Sequence, residues 1–233
     1  MPHEPETVRD FVRLGSNCRS ADRGFMPRSF MAGPEQLASL EGQQYVVLRP
    51  SASVMAMYER VQATAQFSLP DVVTYPHTGH VTLRGFFEPD RVDHLKEVVR
   101  EWAAGQPFID LRLDAIDSFP APFKIVIARL ERTPSLVNAY ADLTAMLDQT
   151  NFKRIDELSL DDWVFHMSIA YCSELPDDDW GGVRISLERE LADRPVDVAS
   201  EVEFVWYEGG VEHREIIAFA RTIATSSSAG VVP

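Results

Sequence analysis

Apolar residues recur along this chain with two spacings, alternate positions in some stretches and every third or fourth in others, and the changes of spacing mark its elements. Residues 45–48 form a short apolar run, predicted to be a strand. Over 53–67, Val54, Met57, Val61 and Ala65 fall on one helical face. Alternation returns at 78–87. A second helix opens at Pro89 or Asp90, carries the stripe Val92, Leu95, Val98, Val99 and Trp102, and stops at Gly105. Strands at 108–116 and 123–130 are divided by Pro120-Ala121-Pro122. Thr133-Pro134 supplies the N-cap and first residue of a third helix, whose stripe is Leu136, Tyr140, Leu143 and Leu147. A strand at 163–171 and a short helix at 183–191 follow. The series ends in a hairpin, 202–207 with 212–220, turning at Glu208-Gly209-Gly210.

The order β-α-β-α-β-β-α-β-α-β-β, with hairpins among the helices, predicts an α+β fold rather than a doubly wound parallel sheet. It divides into two similar halves. Residues 1–40 lack sustained periodicity and read as an N-terminal extension, partly ordered. Residues 41–222 form the folded domain, and 223–233, with Ser226-Ser227-Ser228-Ala229-Gly230, read as a flexible tail.

Composition narrows the function. In 233 residues, 45% hydrophobic content is ample for a core, and a formal net charge of −14 argues against a binder of long nucleic acid or of anionic membrane. A single nucleotide or an RNA terminus, held by a few arginines, remains compatible with it. Two cysteines, Cys18 and Cys172, lie in unrelated contexts and suggest neither a disulfide framework nor a metal site. No signal-like run or apolar stretch of membrane-spanning length occurs, so a monomeric, cytoplasmic protein is expected.

Chemistry enters through a repeated pattern. His80-Val81-Thr82-Leu83 and His166-Met167-Ser168-Ile169 both read His, apolar, hydroxyl, apolar, each in an alternating stretch and each in its own half of the domain. In a strand, i and i+2 share a face, so each copy projects an imidazole beside a hydroxyl. One copy is what chance supplies in a chain of this length. Two at matching places point to one shared site.

The stretch Tyr75-Pro76-His77-Thr78-Gly79-His80-Val81-Thr82-Leu83-Arg84-Gly85-Phe86-Phe87 resembles the first signature of the two-histidine (2H) phosphoesterases. Phe165-His166-Met167-Ser168-Ile169-Ala170-Tyr171 resembles the second, and the element order agrees over residues 43–221. The resemblance is to the 2′-5′ RNA ligase-like proteins and cyclic nucleotide phosphodiesterases. It implies a bilobal fold of two facing antiparallel sheets with helices packed outside. It also implies that His80 and His166 face each other across a cleft as catalytic acid and base, with Thr82 and Ser168 binding phosphate. The expected reaction is opening of a 2′,3′-cyclic phosphate on a nucleotide or RNA end, or of ADP-ribose 1″,2″-cyclic phosphate, to a 2′-phosphomonoester. A nucleotide-binding module with little catalysis and a 2′-5′ RNA ligase are the alternatives.

Two imidazoles on opposite sides of phosphorus can deprotonate water and protonate the leaving oxygen without a metal. Zinc also binds imidazole, but neither motif has a further ligand at recognisable spacing, so no metal or cofactor is expected. In a regular strand Arg84, at i+4, shares the face of His80 and Thr82 and would contact phosphate, unless a bulge at Gly85 re-aims it. Tyr75 and Phe123 are candidates to stack on a base at the cleft rim, and Tyr171, at i+5 from His166, is expected on the opposite, core face. His77, His94 and His213 read as surface or loop residues, and Asp177-Asp178-Asp179 as a solvated loop or helix start.

Overall fold

The computed structural model describes residues 33–155 and 157–220. Much of the predicted extension and all of the predicted tail, with Cys18, lie outside these. A short helix α1 (Pro34–Ser39) leads into β1 (Gln43–Leu48) and helix α2 (Ala52–Ser68). Then come β2 (Val81–Phe87), a 3-10 turn at Pro89–Arg91, α3 (Val92–Gly105), β3 (Ile109–Phe119), β4 (Ile125–Leu130) and α4 (Pro134–Leu147). The remainder is β5 (Arg154–Ile155), β6 (His166–Tyr171), α5 (Asp177–Leu187), β7 (Arg189–Glu190), β8 (Val196–Ala199), β9 (Glu201–Glu208) and β10 (Val211–Ala218).

These strands make two sheets, each antiparallel throughout. One runs β10-β9-β1-β2-β5; the other runs β6-β4-β3-β7, with β8 also paired to β3. The α+β, two-sheet expectation holds. Helix α3 packs on β9 and β10 of the first sheet. Helix α2, although it leaves from β1, packs against β6, β3 and β8 of the second. The chain thereby ties the lobes together, and Leu48, Tyr58, Leu83, Trp102, Met167 and Phe204 belong to one continuous buried cluster.

Several elements begin where the sequence expects them. Thr133 caps α4, its hydroxyl accepting the Leu136 amide at 3.3 Å. Helix α5 starts earlier than 183, with Asp177, Asp178 and Asp179 in its first turn, where carboxylates favour the helix dipole. Gly181 and Gly182 hide it from propensity, but Trp180, Val183 and Leu187 are buried and hold it. No described helix is long and apolar enough to cross a membrane.

Candidate active site

His80 immediately precedes β2 and His166 opens β6. These two strands, from different sheets, touch across the molecule, and the segment leading to His80 is stitched to β6. Thr74 and Tyr171 exchange backbone hydrogen bonds at 3.2 and 2.9 Å. Beneath them, α2 supplies a buried polar brace. The Tyr58 hydroxyl donates to the Ser168 carbonyl at 2.9 Å, and the Gln62 amide group lies 2.9 Å from the Tyr58 hydroxyl, 3.2 Å from the Pro76 carbonyl and 3.3 Å from that of Ile169. Gly79, just before His80, lets the chain pass the Tyr58 ring; a Cβ there would lie 3.0 Å from ring carbons.

The two imidazoles are held alike. His80 Nδ1 lies 3.3 Å from the Thr78 carbonyl and His166 Nδ1 lies 2.8 Å from the Val164 carbonyl, each two residues upstream. A carbonyl only accepts, so both rings carry the proton on Nδ1 when neutral and leave Nε2 free. Both rings are half-buried. His80 has its pKa pushed down to about 4, first by burial, then by the nearby Arg49 guanidinium, with His166 adding a smaller push and the Thr78 carbonyl opposing. His80 and His166 thus lie at the starts of strands that touch, β2 and β6. Burial also lowers the pKa of His166, against the pull of the Val164 carbonyl. Phe119, at the end of β3, meets the His166 ring edge-on, with centroids 4.8 Å apart.

Register decides which other residues join them. In β1–β2 pairing Val47 faces Thr82 but Val46 faces Arg84, so β2 carries one extra residue, Leu83. Val46 and Val47 point to opposite faces, and so do their partners. Thr82 stays with the histidine, whereas Arg84 turns away. It is buried beneath α4, its guanidinium 3.9 Å from the Tyr140 ring centroid. The expected phosphate contact is therefore corrected; the bulge, at Leu83, comes two residues before the predicted Gly85. The second motif bulges at the equivalent step. Ile127 faces Ser168 and Val126 faces Ala170, so Ile169 is the extra residue, and Tyr171, facing Ile125, lands on the face of His166 and Ser168. Its hydroxyl shares a hydrogen bond with Ser168, and burial raises its pKa. The expectation that Tyr171 faces the core is overturned for the reason that removes Arg84.

Tyr75 is likewise corrected. It is 1% exposed, donates to the Ala65 carbonyl at 3.3 Å and forms core, not rim. Phe123 is half-buried in the turn between β3 and β4; the aromatic ring packed against a motif histidine, His166, is that of Phe119. His94 packs on Phe152 and His213 stacks on Trp206, while His77 is exposed in the loop before His80.

Sequence reading missed Arg49, which follows β1. Its Nε pairs with the buried Glu203 and its Nη1 with the Thr78 hydroxyl, each at 2.5 Å, beside the carbonyl that orients His80. The only signal was a lone arginine between a strand and a proline. Among the described residues no group of three or more His, Cys, Asp or Glu side chains is arranged to hold a metal ion.

Comparison with solved structures gives the fold. TT0787 of Thermus thermophilus superposes with a TM-score of 0.56 at 12% identity, over 77% of this chain and 99% of its own. A structure described as a phosphoesterase gives 0.52 at 11% identity, over 78% and 99%. E. coli LigT complexed with NADP+ gives 0.51 at 14% identity, over 78% and 99%. Comparison with curated proteins found no match. The model of the 2′-5′ RNA ligase superfamily matches residues 50–210, well over half of the sequence and both histidine motifs, and the chain belongs to that superfamily.

Proposed function

We propose that this protein is a metal-independent cyclic phosphodiesterase that opens 2′,3′-cyclic phosphates of nucleotides or RNA ends to 2′-phosphomonoesters, or ADP-ribose 1″,2″-cyclic phosphate to the corresponding phosphomonoester on its distal ribose. The observation that carries this reading is the matched pair of imidazoles. Each is anchored through Nδ1, each leaves Nε2 free, and each has a hydroxyl two residues on.

In the free protein both histidines favour the neutral form. A bound phosphodiester brings negative charge and raises both pKa values. Arg49 continues to oppose protonation of His80, so His166 takes the proton first. His80 Nε2 then removes a proton from the attacking water, whose oxygen forms the new bond to phosphorus. His166 Nε2–H gives its proton to the departing 3′ oxygen as the old bond breaks. Thr82, Ser168 and Tyr171 donate to the non-bridging oxygens, where charge grows in the transition state. NADP+, the ligand in the E. coli LigT complex, carries a phosphomonoester on a ribose 2′ oxygen, the kind of group this reaction leaves.

His80→Ala and His166→Ala should each lower turnover of a 2′,3′-cyclic mononucleotide in EDTA by ~100- to 10,000-fold. Circular dichroism should show the fold intact. Undiminished hydrolysis by the double variant removes the proposal. Binding without turnover by the unaltered protein would favour a nucleotide-binding module instead.

A further inference from the structure

Arg84, expelled from the histidine cleft, forms part of the wall of a recess on the helical side of β2. The recess has a volume of about 410 Å³ and is walled by α4 and the segment 157–160, with Tyr140, Thr144 and Leu158 around the guanidinium. Neither catalytic histidine lines it.

The state of Arg84 is unusual. It is 2% exposed, yet among the described residues it has no carboxylate partner. Nη2 donates to the Thr144 hydroxyl at 2.5 Å, and the ring of Tyr140 lies under the guanidinium. Among the described residues, Nε and Nη1 are buried with no hydrogen-bond partner. A buried cation with two unpaired nitrogens is expensive, and such groups are ordinarily satisfied by an acceptor.

The nearby acceptors are already engaged. Asp148 and Glu157 both bind Arg154, at 2.7 and 2.6 Å. Among the described residues, the recess thus holds two guanidiniums against two carboxylates, both carboxylates being bound to Arg154 and Glu157 acting on Arg84 only through space. A monoanion suits this balance better than a dianion, which the two carboxylates would repel. The volume exceeds what a bare anion fills, and Ala141, Leu158 and Leu160 give it apolar walls.

We propose that this recess is a second binding site, taking a small organic carboxylate whose oxygens pair with the Arg84 guanidinium and whose apolar body lies against Leu158 and Leu160. The site is separate from the histidine cleft and stands or falls apart from the phosphodiesterase reading.

The test uses 4-bromobenzoate and inorganic phosphate as probes, titrated calorimetrically into the unaltered protein and into Arg84→Met, Ala141→Phe and His80→Ala. Ala141→Phe fills the recess from α4 while leaving Arg84 in place, so the test does not depend on tolerance of Arg84→Met. Expected is saturable 4-bromobenzoate binding, weakened at least ~10-fold by Arg84→Met and by Ala141→Phe and unchanged by His80→Ala. Crystals soaked in the probe should show the bromine anomalous peak beside Leu158. The proposal is overturned by absence of saturable binding up to ~10 mM, by binding indifferent to both recess variants, or by a bromine peak between the histidines. Phosphate binding that follows the recess variants while 4-bromobenzoate fails to bind also overturns it, since the apolar half of the assignment is then wrong.

Discussion

His80 is tuned by three neighbours that the sequence scatters widely: Arg49 at the end of β1, the Thr78 carbonyl and His166 of the other sheet. Arg49→Met removes the guanidinium that opposes protonation, so the His80 pKa should rise from about 4. In the proposed mechanism the free base must be neutral, and the acidic limb of kcat/KM should move to higher pH in this variant. A limb left in place would show that Arg49 does not tune the base. The acid must be protonated, and the pKa of His166 lies below the ordinary 6.5, so kcat/KM of the unaltered protein should already decline as pH rises through neutrality. Stability follows the same groups with a definite sign. Histidine with a folded pKa below its unfolded value binds fewer protons folded than unfolded. His80 therefore leaves stability whole above pH 6.5 and erodes it as pH falls toward about 4. His80→Ala should lose less stability than the unaltered protein between pH 7 and pH 5 in urea titrations; equal losses would contradict the shift. The two histidines and two hydroxyls were legible because the motif is local. Arg49 was not, because its role arises only when Thr78 and Glu203 are brought beside it.

Strands β2 and β6 share a device that no periodicity discloses: an extra residue directly after the hydroxyl, Leu83 in one and Ile169 in the other. A bulge is a property of pairing, visible only against β1 or β4, so strict alternation along one strand misassigned everything beyond it. Up to the bulge the sequence was right. Past it, Arg84 and Tyr171 exchanged faces. The strongly striped α3 and α4 were legible for the converse reason, since their burial follows a local period. Strands β5, β7 and β8, of two to four residues, are too short to alternate and exist through their partners. Tyr171→Phe tests the consequence. It keeps the ring and removes the hydroxyl bonded to Ser168, so turnover of the cyclic mononucleotide should fall while thermal stability changes little. Tyr58→Phe, on α2, should do the reverse first. Losing the donor to the Ser168 carbonyl should destabilise the fold by about 1 kcal/mol, and more where the orphaned carbonyl stays dry. If Tyr171→Phe costs stability and spares turnover, Tyr171 is a structural residue.

The two lobes meet through α2 and through the Thr74–Tyr171 bridge, so the two histidine strands are held together by contacts between sheets rather than within one. The whole sequence carries 36 acidic and 22 basic residues, giving the net charge of −14. Acidic side chains extend onto the His166 face of the second sheet itself. Arg129, paired across the strands with His166, is bound by Asp114, Asp117 and Glu190 and has little charge left for a phosphate chain. A small cyclic phosphate needs only the local donors, whereas a long RNA must run its backbone over a repelling surface. Substrate length and salt should consequently interact. At low ionic strength kcat/KM for an oligonucleotide ending in a 2′,3′-cyclic phosphate should be well below that for the mononucleotide. The gap should narrow as salt shortens the screening length to ~10 Å and below. A basic RNA-binding enzyme shows the opposite, since its affinity for the longer chain falls with salt. Rates for the oligonucleotide that exceed those for the mononucleotide at low salt, and drop as salt is added, would mean that the acidic face is bypassed and that the protein grips RNA by a surface outside the cleft.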